Sequence, residues 1–374
     1  MPKKRVVIDT FHLLNALTGI RSYTVELCKG LEQYSSPDFE FVLLPNWRQL
    51  NNSTILKGRM GILGKILNHL FYFFWKQIVL PFYILIKRVD VIIAPDYLLP
   101  TIKFGARSIA VFHDTFYWEM RKNYNPLWRW YFVNSVILGL NSRSKIIAVS
   151  AYSKARIQSI IEPKQPVEVA YLSPPKIDQS LNNPSLLLNL DIDSGCDYFL
   201  HVGVFDRRKN IELLISAFSS FCSKPGRENF KLVLVGSRAV TNFHDSFGSV
   251  KELISALGLE GRVLLPGFVS KGLLSTLYHN AFAYVFPSLE EGFGIPTLEA
   301  MNSGVPVIVS DQPALVEVSG DAALVFERTS VEQLVDRMES LLNKQVRERL
   351  IRKGYLRGAS FSRENFINQM IKHL

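Results

Sequence analysis

Residues 285–311 read VFPSLEEGFGIPTLEAMNSGVPVIVSD. The apolar run Ala283 to Phe286, β-branched and aromatic, predicts a buried strand that ends at Pro287-Ser288. Glu290 and Glu291 lead into the loop Gly292-Phe293-Gly294-Ile295. Pro296 then opens a helix, since its fixed φ suits the first turn and its missing N–H leaves no donor unsatisfied there. Gly304 closes that helix, and Val305 to Val309 supply the next buried strand. A strand, glycine loop, helix and strand in this order aim backbone N–H groups at an anion such as a phosphate.

Two carboxylates flank the loop. Glu291 stands just before it and Glu299 is expected in the first helical turn, with seven residues between them. A pyrophosphate seated on the loop amides would have one acid on each side. One would accept hydrogen bonds from a sugar's hydroxyls, the other from a ribose diol. An acid in a first turn also simply favours the helix dipole; the full string E-G-F-G-x-P-x-x-E favours the ligand role.

A second loop carries the matching cations. After the predicted strand Tyr198–Val202 comes Gly203-Val204-Phe205-Asp206-Arg207-Arg208-Lys209-Asn210. Gly203 lets the chain turn close to a ligand. Three consecutive cations at a helix start oppose the partial positive charge already there. They make sense if a multiply charged anion sits among them, and fixed cations of this kind stabilise a departing diphosphate.

These strings resemble the retaining glycosyltransferases of family 4, whose E-x7-E signature matches Glu291 and Glu299. The resemblance runs in order along nearly the whole chain. It implies an α/β GT-B fold, with two Rossmann-like domains facing across a deep cleft and a C-terminal helix crossing back to the first domain. Expected boundaries are 1–180 for an acceptor-binding domain, 195–355 for a nucleotide-sugar-binding domain, and 356–374 for the returning helix. Residues 18–26, TGIRSYTVE, resemble the family's T-G-I-G-R-Y-T-x-E loop, keeping Gly19 and losing the second glycine. The V-G-x-x-x-x-R-K-N likeness implies that Arg208 and Lys209 grip the donor diphosphate. His113-Asp114 resembles the H-D step in which the histidine lies against the transferred sugar. Gly267-Phe268 is similar to the turn beside the nucleotide base. Ser150 matches a V-S-x-x-S turn that caps a helix. The implied donor site is therefore Gly19, Gly203, Arg208, Lys209, Gly267, Phe268, Glu291, Gly292, Phe293, Gly294, Ile295 and Glu299. Glu291, His113, Lys209 and Arg208 would carry the chemistry.

The rest of the chain bounds the reading. Alternating strand and helix patterns in both halves predict parallel sheets covered on both faces. Residues 173–197, rich in Pro, Asn and Ser, are expected to connect the halves. At 374 residues, 48% hydrophobic and 20% charged, the chain can build two sizeable cores. Cys28, Cys196 and Cys222 show no metal-type spacing and suit a reduced, cytoplasmic setting. The start goes from a basic tripeptide straight into a strand, without a secretory pattern. Asp191-Ile192-Asp193 has a metal-binding D-x-D form, but no strand precedes it and no further acids accompany it; no metal site and no cofactor beyond the nucleotide-sugar co-substrate is expected.

The net charge of +10 is lopsided: residues 1–180 hold 23 Lys and Arg against 12 Asp and Glu, and the remainder is nearly balanced. No basic helix, zinc finger or RNA-binding strand accompanies the excess, so nucleic acid is not the expected partner. An anionic membrane surface is. Residues 57–88 are aromatic and apolar with basic ends, and Lys65, Asn68, His69, Tyr72 and Lys76 recur at helical spacing as a polar stripe. Charges and Pro81 interrupt the run, which favours a helix lying in the headgroup region over a span. The expected activity is hexose transfer from a nucleotide-sugar, GDP-mannose by resemblance, to a glycan or lipid-linked glycan acceptor in surface polysaccharide synthesis. A sugar-nucleotide epimerase or hydrolase, or a non-catalytic assembly subunit, are the alternatives.

Overall fold

The computed structural model describes residues 2–14, 16, 19–52, 62–193, 195–239 and 245–374. The chain divides into two compact units, Met1–Pro174 with Phe361–Leu374, and Pro175–Ser360.

The first unit is built on six parallel strands: β1 (Lys4–Asp9), β2 (Phe39–Leu44), β3 (Val91–Ala94), β4 (Arg107–Phe112), β5 (Ser144–Ala148) and β6 (Val167–Val169), in the spatial order β2-β1-β3-β4-β5-β6. The inner strands are near-continuous apolar runs because helices cover both faces. Only β6 escaped the sequence reading: three residues at a sheet edge are too few to leave a periodic signal. Strand order reverses between β1 and β3, and in such sheets the crevice beyond the strand ends at that point takes ligands.

The second unit repeats the plan with β7 (Asp197–Val202), β8 (Phe230–Val235), β9 (Val263–Gly267), β10 (Ala283–Phe286), β11 (Val307–Ser310) and β12 (Ala323–Phe326), ordered β12-β11-β10-β7-β8-β9. All are parallel, and the order reverses between β7 and β10. Phe199 anchors the core, its ring 5.3 Å from Phe221, 5.8 Å from Phe230 and 5.6 Å from Phe282. Truncating such a buried ring costs about 3–5 kcal/mol.

Three expectations need correction. Residues 175–193, within the expected connection, belong to the second unit. The turns at Gln179–Leu181 and Pro184–Leu190 are capped by Asp178 and Asn183, and they pack on the helix Lys271–His279. There Ser275 Oγ donates to the Asp178 carbonyl (2.7 Å) and Asn183 N–H donates to Thr276 Oγ1 (3.0 Å). The tail is two helices, Lys344–Ala359 and Arg363–Ile371, separated by a Ser-capped break. The longer one stays on the second unit through Arg357, which donates to the Val318 and Glu317 carbonyls.

The second helix belongs to the first unit. Arg363 pairs with buried Glu26 at 2.6 Å and Tyr23 reaches Met370 Sδ at 3.4 Å. A Cβ at Gly30 would lie 2.4 Å from Ile367 Cγ1, so the two helices meet only because that position has no side chain.

The segment that resembles the family's loop is helical from Gly19, in a helix that runs to Gln33. Arg21, which stands where the family pattern has its second glycine, ties this turn down by donating to the carbonyls of Leu13, Ala16 and Asn51. The Thr18 position of that motif lies outside the described residues, as do residues 57–61 and the side chain of Lys65.

The polar stripe lies along a helix. Residues 62–87 are helical throughout, with a π-helical stretch at Trp75–Val79 just before Pro81. The wider turn admits the proline without breaking the rod. Within the stripe Tyr72 and Lys76 face inward and bond Asp96, while exposed His69 lies against Trp128 with ring centroids 3.9 Å apart and tilted planes. The outward face carries Leu67, Leu70, Phe71, Phe74, Ile78 and Phe82, all exposed. Leu67–Lys87 is long and apolar enough to cross a bilayer by length and composition, yet its inner face is bonded to the sheet.

Candidate active site

In the second unit the crevice between β7 and β10 collects the predicted acid and cations. Residues Arg207–Lys209 form a single 3-10 turn before the helix Ile211–Cys222, so the cations precede that helix and do not occupy its first turn. The Asp206 carboxylate caps the turn by accepting from Arg208 N–H at 3.0 Å. On the facing loop, Glu291 is buried at 9% exposure. Its Oε1 accepts from Lys209 Nζ, from Arg208 at 3.2 Å and from Ser288 Oγ at 2.8 Å. Burial alone would raise the Glu291 pKa, but Lys209 and Arg208 beside it hold the carboxyl below its ordinary range. Lys209, itself buried, lies 4.7 Å over the Phe286 ring, and desolvation draws its pKa down despite Glu291.

The loop around Glu291 is pinned from several sides. Gln312 Nε2 donates to the Glu291 carbonyl at 3.0 Å, and Ser310 Oγ donates to the Ser288 carbonyl at 2.5 Å. Arg328 pairs with Asp311 at 2.7 Å and donates to the Leu289 carbonyl at 3.0 Å. Asn210 Nδ2 donates to the carbonyls of Pro287 (3.2 Å) and Arg328 (2.9 Å). Such fixing keeps polar groups in place without reorganisation when charge develops nearby. Beyond Gly292 and buried Phe293, Gly294 turns the chain at φ +102° into the helix Ile295–Asn302. A Cβ there would meet Leu315 Cδ2 at 2.4 Å, so glycine is required on both counts.

Glu299 is the fifth residue of that helix, one turn deeper than expected. Its Oε2 accepts from Tyr278 OH at 2.9 Å, and burial pushes its pKa up to about 7 against that bond. Gly203 follows β7, where the backbone crosses Gly236 so closely that a Cβ on Gly236 would overlap the Gly203 carbonyl oxygen at 1.7 Å. Gly267 ends β9 at φ +73°, and the Phe268 ring that follows is 91% exposed. All these residues stand on the carboxyl edge of one sheet.

His113 and Gly19 belong to the first unit. His113 follows β4, its Nε2 2.7 Å from the Pro95 carbonyl and its ring edge-on to Tyr23 at 5.0 Å. Burial lowers its pKa to about 4, so the imidazole is neutral near pH 7. Gly19 is the exposed first residue of its helix. Ser150 caps the helix Ala151–Ile160. Asp193 of the D-x-D string accepts from Gly195 N–H at 3.0 Å. Among the described residues no group of three or more His, Cys, Asp or Glu could hold a metal ion.

Two residues near the site went unread. His201, buried in β7, donates from Nδ1 to the Val285 carbonyl (3.0 Å), and its Nε2 has no partner. A histidine inside the run YFLHV was a visible signal. Tyr278 gave none, since an aromatic residue in an amphipathic helix reads as core.

Two doubly wound sheets with an acid-cation cluster at a switch point define a two-domain α/β protein of the GT-B fold. Sucrose-phosphate synthase from Thermosynechococcus elongatus superposes with a TM-score of 0.74 at 18% identity, covering 99% of this chain and 98% of that one. HepE from Anabaena, solved with UDP and glucose, gives 0.71 at 15% identity over 100% and 99% of the two chains. The family model for glycosyl transferases group 1 matches residues 189–357. O-antigen chain mannosyltransferase B of Escherichia coli is 30% identical over 277 residues, 71% of this chain and 69% of that protein. The chain belongs to the group 1 glycosyl transferases.

Proposed function

We propose that the protein is a retaining, metal-independent hexosyltransferase that takes mannose from GDP-mannose to a lipid-linked glycan during surface polysaccharide synthesis. The cluster of Glu291 with Lys209 and Arg208 carries this reading. Two cations fixed at a switch point suit a diphosphate, and an acid between them suits the hydroxyls of the attached sugar. The similarity to an O-antigen mannosyltransferase supports the sugar and the class of product.

In the proposed reaction the donor diphosphate takes Lys209 and Arg208 as partners, and Glu291 turns to the sugar. Phe268 stacks on the base and Glu299 accepts from the ribose diol. The acceptor hydroxyl attacks the anomeric carbon from the face that the phosphate leaves. The bond from that carbon to the phosphate oxygen breaks, and the departing oxygen takes the hydroxyl proton. Lys209 and Arg208 offset the charge that builds on the diphosphate, the part otherwise filled by a divalent ion. His113, neutral, is assigned as a substrate-facing residue of the first unit on the family resemblance. The exposed apolar face of residues 67–87 and the basic first unit support a peripheral seat on the cytoplasmic membrane surface.

Thermal unfolding with GDP or UDP in EDTA tests the donor. A shift with GDP alone is expected. A shift with UDP alone would reassign the nucleotide, and one that requires Mg²⁺ would overturn metal independence.

A further inference from the structure

The switch point of the first sheet holds an ion cluster that the proposed reaction does not use. Asp9 ends β1 and Asp96 lies just beyond β3, on either side of the crevice where strand order reverses. Between them sits Lys76, 2% exposed, delivered by the inner face of the 62–87 helix. Its ammonium forms an ion pair with Asp9 Oδ2 at 2.6 Å and donates to Asp96 Oδ1 at 2.8 Å and to the Leu98 carbonyl at 2.7 Å. Tyr72 OH donates to Asp96 and Trp75 Nε1–H donates to Asp9 Oδ1 at 2.9 Å.

Two of the acceptors of Lys76 bracket a strained residue. Tyr97 lies between Asp96 and Leu98 with φ +71°, a left-handed conformation that is costly for an aromatic residue and persists only where the surroundings enforce it. The same four-residue turn holds the His113-Asp114 step. Pro95 contributes the carbonyl that faces His113 Nε2 at 2.7 Å, and Tyr97 OH accepts from Asp114 N–H at 3.0 Å. Tyr97 N–H donates to the Val111 carbonyl at 3.1 Å, which ties the turn to β4. A carbonyl only accepts, so His113 carries its proton on Nε2 and presents Nδ1 as a lone pair.

We infer that Lys76 is a positioning residue for sugar transfer: by bridging Asp96 and the Leu98 carbonyl it enforces the Tyr97 turn, which fixes the tautomer and placement of His113. The inference rests on His113 being a substrate-facing residue of the proposed transferase. It gives the helix a role on each face, since the rod that presents apolar side chains outward also supplies the group that shapes the site edge.

The test uses the full chain with Lys76→Met, Tyr97→Phe and His113→Ala, alone and combined. Nitrogen NMR of the imidazole reads the His113 tautomer, and mannose transfer from GDP-mannose reads turnover. In the parent protein His113 is expected as the Nε2–H tautomer. Lys76→Met should mix the tautomers and lower kcat at least tenfold, leaving the GDP-induced thermal shift, which reports the other unit, unchanged. Lys76→Met with His113→Ala should be no slower than His113→Ala alone, because the lysine acts through the histidine. Should Lys76→Met not fold, Tyr97→Phe keeps the ion cluster and removes only the hydroxyl bond to Asp114; it is expected to show the same dependence on His113. An unchanged tautomer, or losses that multiply in the double variant, would overturn the inference. A parent protein without transfer activity would refute the proposed function, while the tautomer would still decide this one.

Discussion

Replacing Glu291 with glutamine keeps the shape of the side chain and removes the charge that Lys209 and Arg208 share. Glu291 is 9% exposed and Lys209 8%, so neither is well solvated. Removing one partner of a buried pair leaves the other uncompensated, at about 3–5 kcal/mol. Retention of the Ser288 bond and partial exposure of Arg208 favour the lower end, about 3 kcal/mol. For a domain of this size that lowers Tm by about 2–4 °C per kcal/mol. GDP should then behave in an unusual way. In the parent protein the diphosphate competes with Glu291 for Lys209 and Arg208; in the variant it has no competitor and also relieves the uncompensated charge. The expected outcome is a less stable protein whose thermal shift with GDP exceeds that of the parent, while mannose transfer falls by a hundredfold or so, about 2.7 kcal/mol of lost transition-state stabilisation. Unfolding followed with and without GDP in EDTA, beside a transfer assay, measures all three. A GDP shift smaller than the parent's would refute the reasoning, since it would mean that Glu291 helps to bind the diphosphate.

Other outcomes follow from single residues. Glu299 has a folded pKa near 7 against an ordinary 4.5, so the folded state holds its proton longer, and this group's contribution to stability declines as pH rises from 4.5 to 7. GDP affinity should climb through the same midpoint as the carboxylate forms, and Tyr278→Phe, which deletes a bond to the ionised form, should move the midpoint upward in calorimetric titrations. Phe268→Ala should weaken GDP by roughly tenfold, within the about 1–3 kcal/mol of base stacking, with unchanged Tm because the ring is 91% exposed. Phe71→Ser with Phe82→Ser should abolish flotation with anionic phospholipid vesicles and leave folding intact, as these rings are 65% and 61% exposed; full flotation would dismiss this helix face as the membrane contact.

How much of this was legible depended on whether the signal was local. The run from Ala283 to Val309 declares its strand, loop, helix and strand because Pro296, Gly294 and Gly304 each act within a turn of where they stand. The run Arg207-Arg208-Lys209 was visible for the same reason, three cations in a row, although it precedes the helix Ile211–Cys222. The partner relations were not. That Lys209 and Glu291 share one bond depends on β7 and β10 being neighbours across 82 residues, a property of strand order. The polar stripe of the 62–87 helix had the right period, but periodicity marks a face without saying what it meets. Residues 173–197 looked like a linker because Asn, Asp and Ser cap short turns as readily as they populate loops.

The return of residues 361–374 to the first unit makes the second unit an insertion within the first. During synthesis the ribosome therefore finishes the second sheet, including the Glu291 cluster, before the segment that completes the first unit has emerged. Until Arg363 arrives, buried Glu26 keeps its pair with Lys29 but lacks the arginine, and the surface around Gly30 and Tyr23 lacks the helix that covers it. The unit that begins the chain is thus the one whose folding ends last.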